Sequence, residues 1–170
     1  MLFDFKISKP TSMNAYELHC MIEGLFKEDE GRHLFCDRGD HVLVRSLNVK
    51  CGELEGDALK MPSLNDVVFV ELRASCFVSG GGKKFFLKQG DWRSRHEWLE
   101  KKATQNGFCV LTTTCRSEIA KVQKPKAEFT LDCTDFTACI KIKDQEKFIS
   151  ALQNGIGSKG RAFGFGMLVL

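Results

Sequence analysis

No run of apolar residues in this chain approaches the ~20 that a helix needs to cross a bilayer. The stretch Met1–Ile7 has no basic region leading into a long apolar one, so no signal peptide is expected. No Cys-x-x-Cys pair occurs among the eight cysteines, which argues against a zinc knuckle or ribbon. The four histidines are scattered and lack paired carboxylates, so neither a metal site nor any other cofactor is expected. Charge of one sign is scarce too: a net +3 over 170 residues does not by itself announce nucleic acid. Several cysteines sit in apolar, strand-like runs, where a thiol acts as a small hydrophobe. Together these features predict a cytoplasmic protein with reduced thiols and no membrane contact.

What is present suits a folded α+β protein. Hydrophobic residues make up 43% and charged ones 28%, enough for one ordinary domain or two small joined ones. Leu2 to Ile7 alternates apolar and polar residues, which predicts a strand. A helix follows, capped by Asn14 or Ser12; Asn14 with Glu17 forms a capping-box pattern. Leu18, Met21, Ile22, Leu25 and Phe26 give it one apolar stripe, which should end near Lys27–Arg32. Strands are predicted at 33–36 and 41–47 around an Arg38-Gly39-Asp40 turn, and at 67–76, with a break at Gly80-Gly81-Gly82. Asp91 to Asn106 reads as a helix that Gly107 ends. Further strands are expected at 108–115, 127–133 and 136–142, a helix at 143–154, and a last strand at 163–170.

From residue 67 the order is strand, helix, strand, strand, helix, strand, the ferredoxin-like pattern. The first part gives strand, helix, strand, strand and at most one more, a copy lacking most of its second helix. Two tandem ferredoxin-like domains are therefore expected, 1–60 and 61–170, the N-terminal one reduced.

The most specific segment is Gly155-Ile-Gly-Ser-Lys-Gly-Arg-Ala-Phe-Gly-Phe-Gly-Met-Leu-Val-Leu170. Its Gly-x-Gly-x-x-Gly is not a dinucleotide fingerprint, because a helix precedes it and a strand is expected after it. Two readings of Gly155, Gly157 and Gly160 stand. Their backbone N–H groups suit a phosphate, with Lys159 and Arg161 adding charge; or the glycines ease tight packing of a helix-to-strand turn. The alternation of Phe163 and Phe165 with Gly164 and Gly166 predicts a strand with one bare face.

A second basic group, Lys83, Lys84, Lys88, Arg93, Arg95, Lys101 and Lys102, is interleaved with Phe85, Phe86, Trp92 and Trp98. It reads either as a solvated face or as a groove for RNA backbone. Arg116, Lys121, Lys124 and Lys126, expected in a loop, extend that surface. Tyr16, the only tyrosine, and His19 lie three apart on the first helix and share a face. A histidine there suits acid–base chemistry and a tyrosine hydroxyl can orient it or donate to an oxyanion. His33 and His41 are expected to be solvated.

The C-terminal pattern of helix, Gly-hydrophobic-Gly, basic residues and Phe-Gly-Phe-Gly before an apolar strand resembles the signature of the Cas6 superfamily. Tyr16-Glu-Leu-His19 with Met21 to Phe26 resembles the first helix of its Cas6e subfamily, and 41–46, 69–74 and the Trp98-Leu99 helix echo it further. The region between the 67–76 strand and that helix is short against the family pattern. The resemblance implies two ferredoxin-like domains and metal-independent cleavage of CRISPR precursor RNA at the repeat hairpin. The 2′-OH would attack the adjacent phosphate to leave a 2′,3′-cyclic phosphate and a 5′-OH. His19 would be the general base or acid, Tyr16 would orient it or stabilise charge, and Lys159, Arg161 and the loop amides would hold phosphate. It also implies that the product is kept and that other Cas effector-complex subunits are partners. Two alternatives are a catalytically silent guide-RNA-binding relative and a general ferredoxin-like RNA-binding module.

Overall fold

The capping box written into the sequence is formed. Asn14 Oδ1 accepts from the backbone N–H of Tyr16 and Glu17 at 2.9 and 3.0 Å, and Glu17 Oε2 accepts from the Asn14 N–H at 2.9 Å. Asn14, not Ser12, is thus the cap of α1 (Ala15–Leu25). The computed structural model describes residues 1–10, 12–27 and 33–170. The expected helix end in Lys27–Arg32 therefore lies largely outside the described residues. Strand β1 (Phe3–Ser8) precedes α1, and β2 (Leu34–Asp37) and β3 (His41–Ser46) follow it. Gly39 at φ +94° makes the turn between β2 and β3, where few side chains would be tolerated. Two short strands, β4 (Lys50–Cys51) and β5 (Leu54–Glu55), form a hairpin before β6 (Asp57–Ala58).

The first sheet runs β2-β3-β1-β6. This is the ferredoxin-like strand order, with the small β4–β5 hairpin standing where a second helix belongs. Leu18, Ile22 and Phe26 pack on Phe5, Phe35, Val42 and Val44, and the Phe5 and Phe26 rings meet edge to face at 5.2 Å. That apolar stripe, rather than helix propensity alone, holds an 11-residue helix in place.

The second half contains β7 (Val67–Ala74), β8 (Phe77–Gly80), β9 (Lys83–Phe86), α2 (Trp92–Gln105), β10 (Phe108–Lys124), β11 (Ala127–Ile142), α3 (Gln145–Asn154) and β12 (Leu168–Val169). Its sheet runs β10-β11-β7-β12, the complete ferredoxin-like order. The fold is thus α+β with tandem ferredoxin-like units, the first one reduced. Asp91 caps α2 by accepting from the Ser94 N–H at 3.1 Å. Gly107 ends it at φ +78°, where any Cβ would overlap the Asp144 carbonyl. Alternate residues of β7, Val70 and Leu72, join Trp98, Leu99, Phe136, Ile140, Phe148 and Leu152 in the main core.

Five expectations need correction. The strands expected at 127–133 and 136–142 are not two but one continuous strand, β11. The first part, expected to give at most one more strand after 41–47, gives three short ones, β4 to β6. Gly80 to Gly82 is not a plain break: Gly81 and Gly82, both at positive φ, turn the β8–β9 hairpin in the region that looked short. Residues 116–124 are not a loop; only Pro125 and Lys126 turn between two strands. β10 and β11 pair continuously from Phe108↔Ile142 to Lys124↔Ala127, broken only by a bulge between Val110 and Thr112. Residues 163–170 are not one strand either. Arg161–Phe163 forms a 3-10 turn, and only Leu168–Val169 pairs with β7.

The two sheets are tied by one buried cation. Arg45 on β3 forks onto Asp4 at 2.7 and 2.8 Å and donates to the Leu168 carbonyl at 2.7 Å and the Leu152 carbonyl at 3.4 Å. Among the described residues no helix is long and apolar enough to cross a membrane.

Candidate active site

The glycine loop is shaped by its own backbone. Gly155, Gly157, Gly160, Gly164 and Gly166 all have φ between +74° and +92°. A Cβ at Gly160 would stand 2.6 Å from the Phe165 ring, and one at Gly166 2.7 Å from the Ile156 carbonyl oxygen. Tight packing therefore explains much of the glycine content, and the Phe-Gly-Phe-Gly alternation comes from left-handed residues rather than strand pleating. Arg161 donates to the carbonyls of Gly155 and Gly157, bracing the loop from within. Lys159 is exposed.

This loop lies against α1. The His19 and Phe163 rings meet at 6.1 Å and 65°. His19, Glu23 and His33 form one side of an open pocket of about 340 Å³, and Arg161 and Ala162 another. His33 is not solvated as expected: its side chain is 11% exposed and its ring lies 5.4 Å from that of Phe26. Its Nε2 is 3.3 Å from Glu23 Oε1. His41 instead pairs with Asp40 at 2.6 Å.

Tyr16 sits one turn before His19, packed beside Val122, Leu131 and Phe163. A hydrogen bond with the Cys20 thiol, one turn along, raises its pKa above the ordinary tyrosine value, so the hydroxyl is neutral near pH 7 and able to donate. The distal half of the β10–β11 ribbon reaches this spot. Lys124 Nζ lies 5.8, 5.5 and 5.7 Å from the ring centres of Tyr16, Phe129 and Phe163. Three ring faces fix that ammonium beside Tyr16, each contact contributing on the order of 0.5–1 kcal/mol at an exposed site. Chemically, the pocket holds two imidazoles, a carboxylate and a guanidinium, and a neutral phenol and an ammonium stand outside its lining, next to Phe163. That set can move a proton and face an anion.

The family described as CRISPR associated protein matches residues 81–170, more than half of the sequence. The chain belongs to this family. No curated protein matches it. Among solved structures it is similar to Thermus thermophilus Cse3 bound to an RNA representing a pre-cleavage complex, with a TM-score of 0.81 at 20% identity over 98% of this chain and 97% of that one. It is similar also to Cas6e from Escherichia coli K-12, with a TM-score of 0.73 at 20% identity over 98% and 96%. A third is a chain of the E. coli Cascade complex bound to a double-stranded DNA target, with a TM-score of 0.62 at 20% identity over 99% and 96%. The fold of this CRISPR-associated chain is therefore the Cse3 and Cas6e fold.

The second basic group in this family member divides. Lys83 and Lys88 are exposed, and Arg93, 91% exposed, pairs with Glu97 at 3.1 Å. The Lys84 side chain lies outside what is described. Arg95 is a correction. It is fully buried, forked onto Asp132 at 2.7 and 2.8 Å, and bonded to the carbonyls of Leu87 and Lys88. No phosphate can reach it. None of these residues lines the His19 pocket, so the structure does not gather the two basic groups into one site. Sequence reasoning missed Glu23 and His33 and placed Lys124 in a loop. Glu23 had a signal, its i,i+4 spacing from His19. His33 had none.

Proposed function

We propose that this chain is an endoribonuclease that cuts CRISPR precursor RNA at the repeat hairpin. The observation that carries the reading is the pocket itself: His19 on the N-terminal helix faces the glycine loop and Arg161, with Tyr16 and Lys124 beside it. Support comes from family membership and from the likeness in fold to Cse3, a CRISPR endoribonuclease solved bound to RNA.

His19 moves the proton. The ribose 2′ oxygen loses its proton and forms a bond to the adjacent phosphorus as the bond from phosphorus to the 5′ oxygen breaks. The departing oxygen takes up a proton, giving a 2′,3′-cyclic phosphate and a 5′-OH. Tyr16, held neutral, donates to a phosphate oxygen as charge builds. Lys124 and Lys159 bring positive charge to the RNA backbone, and Arg161 shapes the loop that presents its amides. Lys83, Lys84, Lys88 and Arg93 serve a separate stretch of backbone. Nucleophile and leaving group both belong to the RNA, so the step needs no metal. The chain then retains its product as a subunit of a Cas effector complex, in the cytoplasm.

The test is a single-turnover assay on a repeat-hairpin RNA in excess EDTA. Cleavage is expected to persist, and His19→Ala is expected to slow it about a hundredfold or more with RNA affinity nearly unchanged. A mutant that cuts at the wild-type rate, or an absolute need for Mg²⁺ with a prefolded hairpin, overturns the mechanism. Binding without cleavage by the wild-type chain would make it a silent guide-RNA subunit.

A further inference from the structure

Glu23 Oε1 lies between two imidazoles. It is 3.8 Å from His19 Nδ1 and 3.3 Å from His33 Nε2. His19 Nδ1 is buried and has no hydrogen-bond partner among the described residues. A buried ring nitrogen in that position needs one, and the neighbours narrow the choice. Arg161, across the pocket, carries only donors and turns Nη2 to the Gly155 and Gly157 carbonyls. The Cys20 thiol is engaged with Tyr16. Glu23, one turn on and facing the same pocket, is the acceptor at hand, and a small rotation of its carboxylate closes the gap. His33 stiffens that carboxylate from the far side, because its ring is wedged against Phe26 at the entry to β2.

We propose that Glu23 and His33 are positioning residues for His19. The Glu23 carboxylate accepts from Nδ1–H and so fixes the tautomer whose lone pair is on Nε2. The side chain is 28% exposed while Nδ1 is buried, so the open part of the ring is elsewhere, and the tautomer leaves Nε2 as the basic atom. His19 is thereby a general base toward the 2′-OH, and the carboxylate stabilises the imidazolium that forms. The hydrogen bond made by one ring nitrogen dictates what the other can do. The inference rests on the pocket being a ribonuclease site and adds the residues that orient its base.

The test combines long-range ¹H–¹⁵N spectra of the histidine rings near pH 8 with single-turnover cleavage. In the wild type, neutral His19 is expected as Nδ1–H. Glu23→Ala should convert it largely to Nε2–H and slow cleavage about tenfold, with the RNA dissociation constant changing less than twofold. Glu23→Gln, which still offers an acceptor oxygen, should keep the tautomer and recover most of the rate. His33→Gln should act mildly, because its amide can still donate to Glu23. The Glu23 side chain is 56% exposed, so the urea midpoint of Glu23→Ala should stay at the wild-type value. A wild-type Nε2–H tautomer, or a Glu23→Ala protein with unaltered tautomer or rate, overturns the inference. His19→Ala run in parallel separates the two claims. If it is slow while Glu23→Ala is not, only the positioning role falls; if it cuts normally, the ribonuclease reading falls and takes this one with it.

Discussion

Asp132→Ala is predicted to be among the most damaging single changes in this protein. The carboxylate accepts from Arg95 Nη1 and Nη2 at 2.8 and 2.7 Å, the Cys76 N–H at 3.0 Å, Gln89 Nε2 at 3.1 Å and the Thr134 hydroxyl at 3.2 Å. Removing it leaves the Arg95 guanidinium charged, fully buried, and facing only neutral oxygens from Thr134, Leu87 and Lys88. Stranding one partner of a buried pair costs about 3–5 kcal/mol. In a chain of this size that lowers the melting temperature by roughly 10 °C. Urea unfolding of Asp132→Ala, Arg95→Met and the double Arg95→Met/Asp132→Leu forms the assay. The double variant should lose far less than Asp132→Ala, since no unpaired charge remains. It should also bind repeat RNA with the wild-type salt dependence, because Arg95 touches no phosphate. A loss below about 1 kcal/mol for Asp132→Ala, or a double variant as unstable as the single, would show that the pair is not enclosed as described.

Lys159→Ala should lower the slope of log affinity against log salt by close to one unit, measured by titration at several salt concentrations; an unchanged slope removes Lys159 from the RNA backbone. Arg161→Ala should instead lower affinity at every salt concentration with little change of slope, because it takes a donor from the Gly155 and Gly157 carbonyls and loosens the loop. Tyr16→Phe should slow cleavage with little change in affinity, and the reverse pattern would make Tyr16 a stacking residue. With one tyrosine in the chain, absorbance titration reads Tyr16 alone. It should ionise above pH 10 in the folded protein, its hydroxyl staying protonated as pH rises through that value, and Cys20→Ala should bring it back down. Gly160→Ala, at φ +79° and with its Cβ against the Phe165 ring, should cost about 1–2 kcal/mol from the backbone alone and loosen the loop; a thermal melt that does not move would contradict the packing described.

Where the sequence was legible, the information was local. The Asn14/Glu17 box, the helix end at Gly107 and the α1 stripe each depend on residues a few positions apart. The order of elements was enough to expose both ferredoxin-like units. The distal β10–β11 ribbon was not legible. Much of it faces solvent on both sides, so residues 116–124 lack the one-sided alternation that announces a strand; only Val122 is deeply buried there. Phe-Gly-Phe-Gly misled in the opposite direction, because a period of two arose from packing around left-handed glycines. Arg95 and His33 were misplaced for a further reason. Whether an arginine is buried depends on a carboxylate 37 positions away, and no local spacing encodes that.

The pocket joins residue 19 to residue 163, and Arg45 reaches forward to the carbonyl of Leu168. During synthesis the N-terminal helix leaves the ribosome long before the glycine loop exists, and the chain extends from the amino end. Until residues 155–168 emerge, His19 has no opposite wall and Arg45 lacks its last acceptors. A nascent or prematurely ended chain can therefore have a well-formed first sheet and no working pocket. The proposed catalytic competence thus requires the closing segment to dock, and an unfinished copy is expected not to cut RNA.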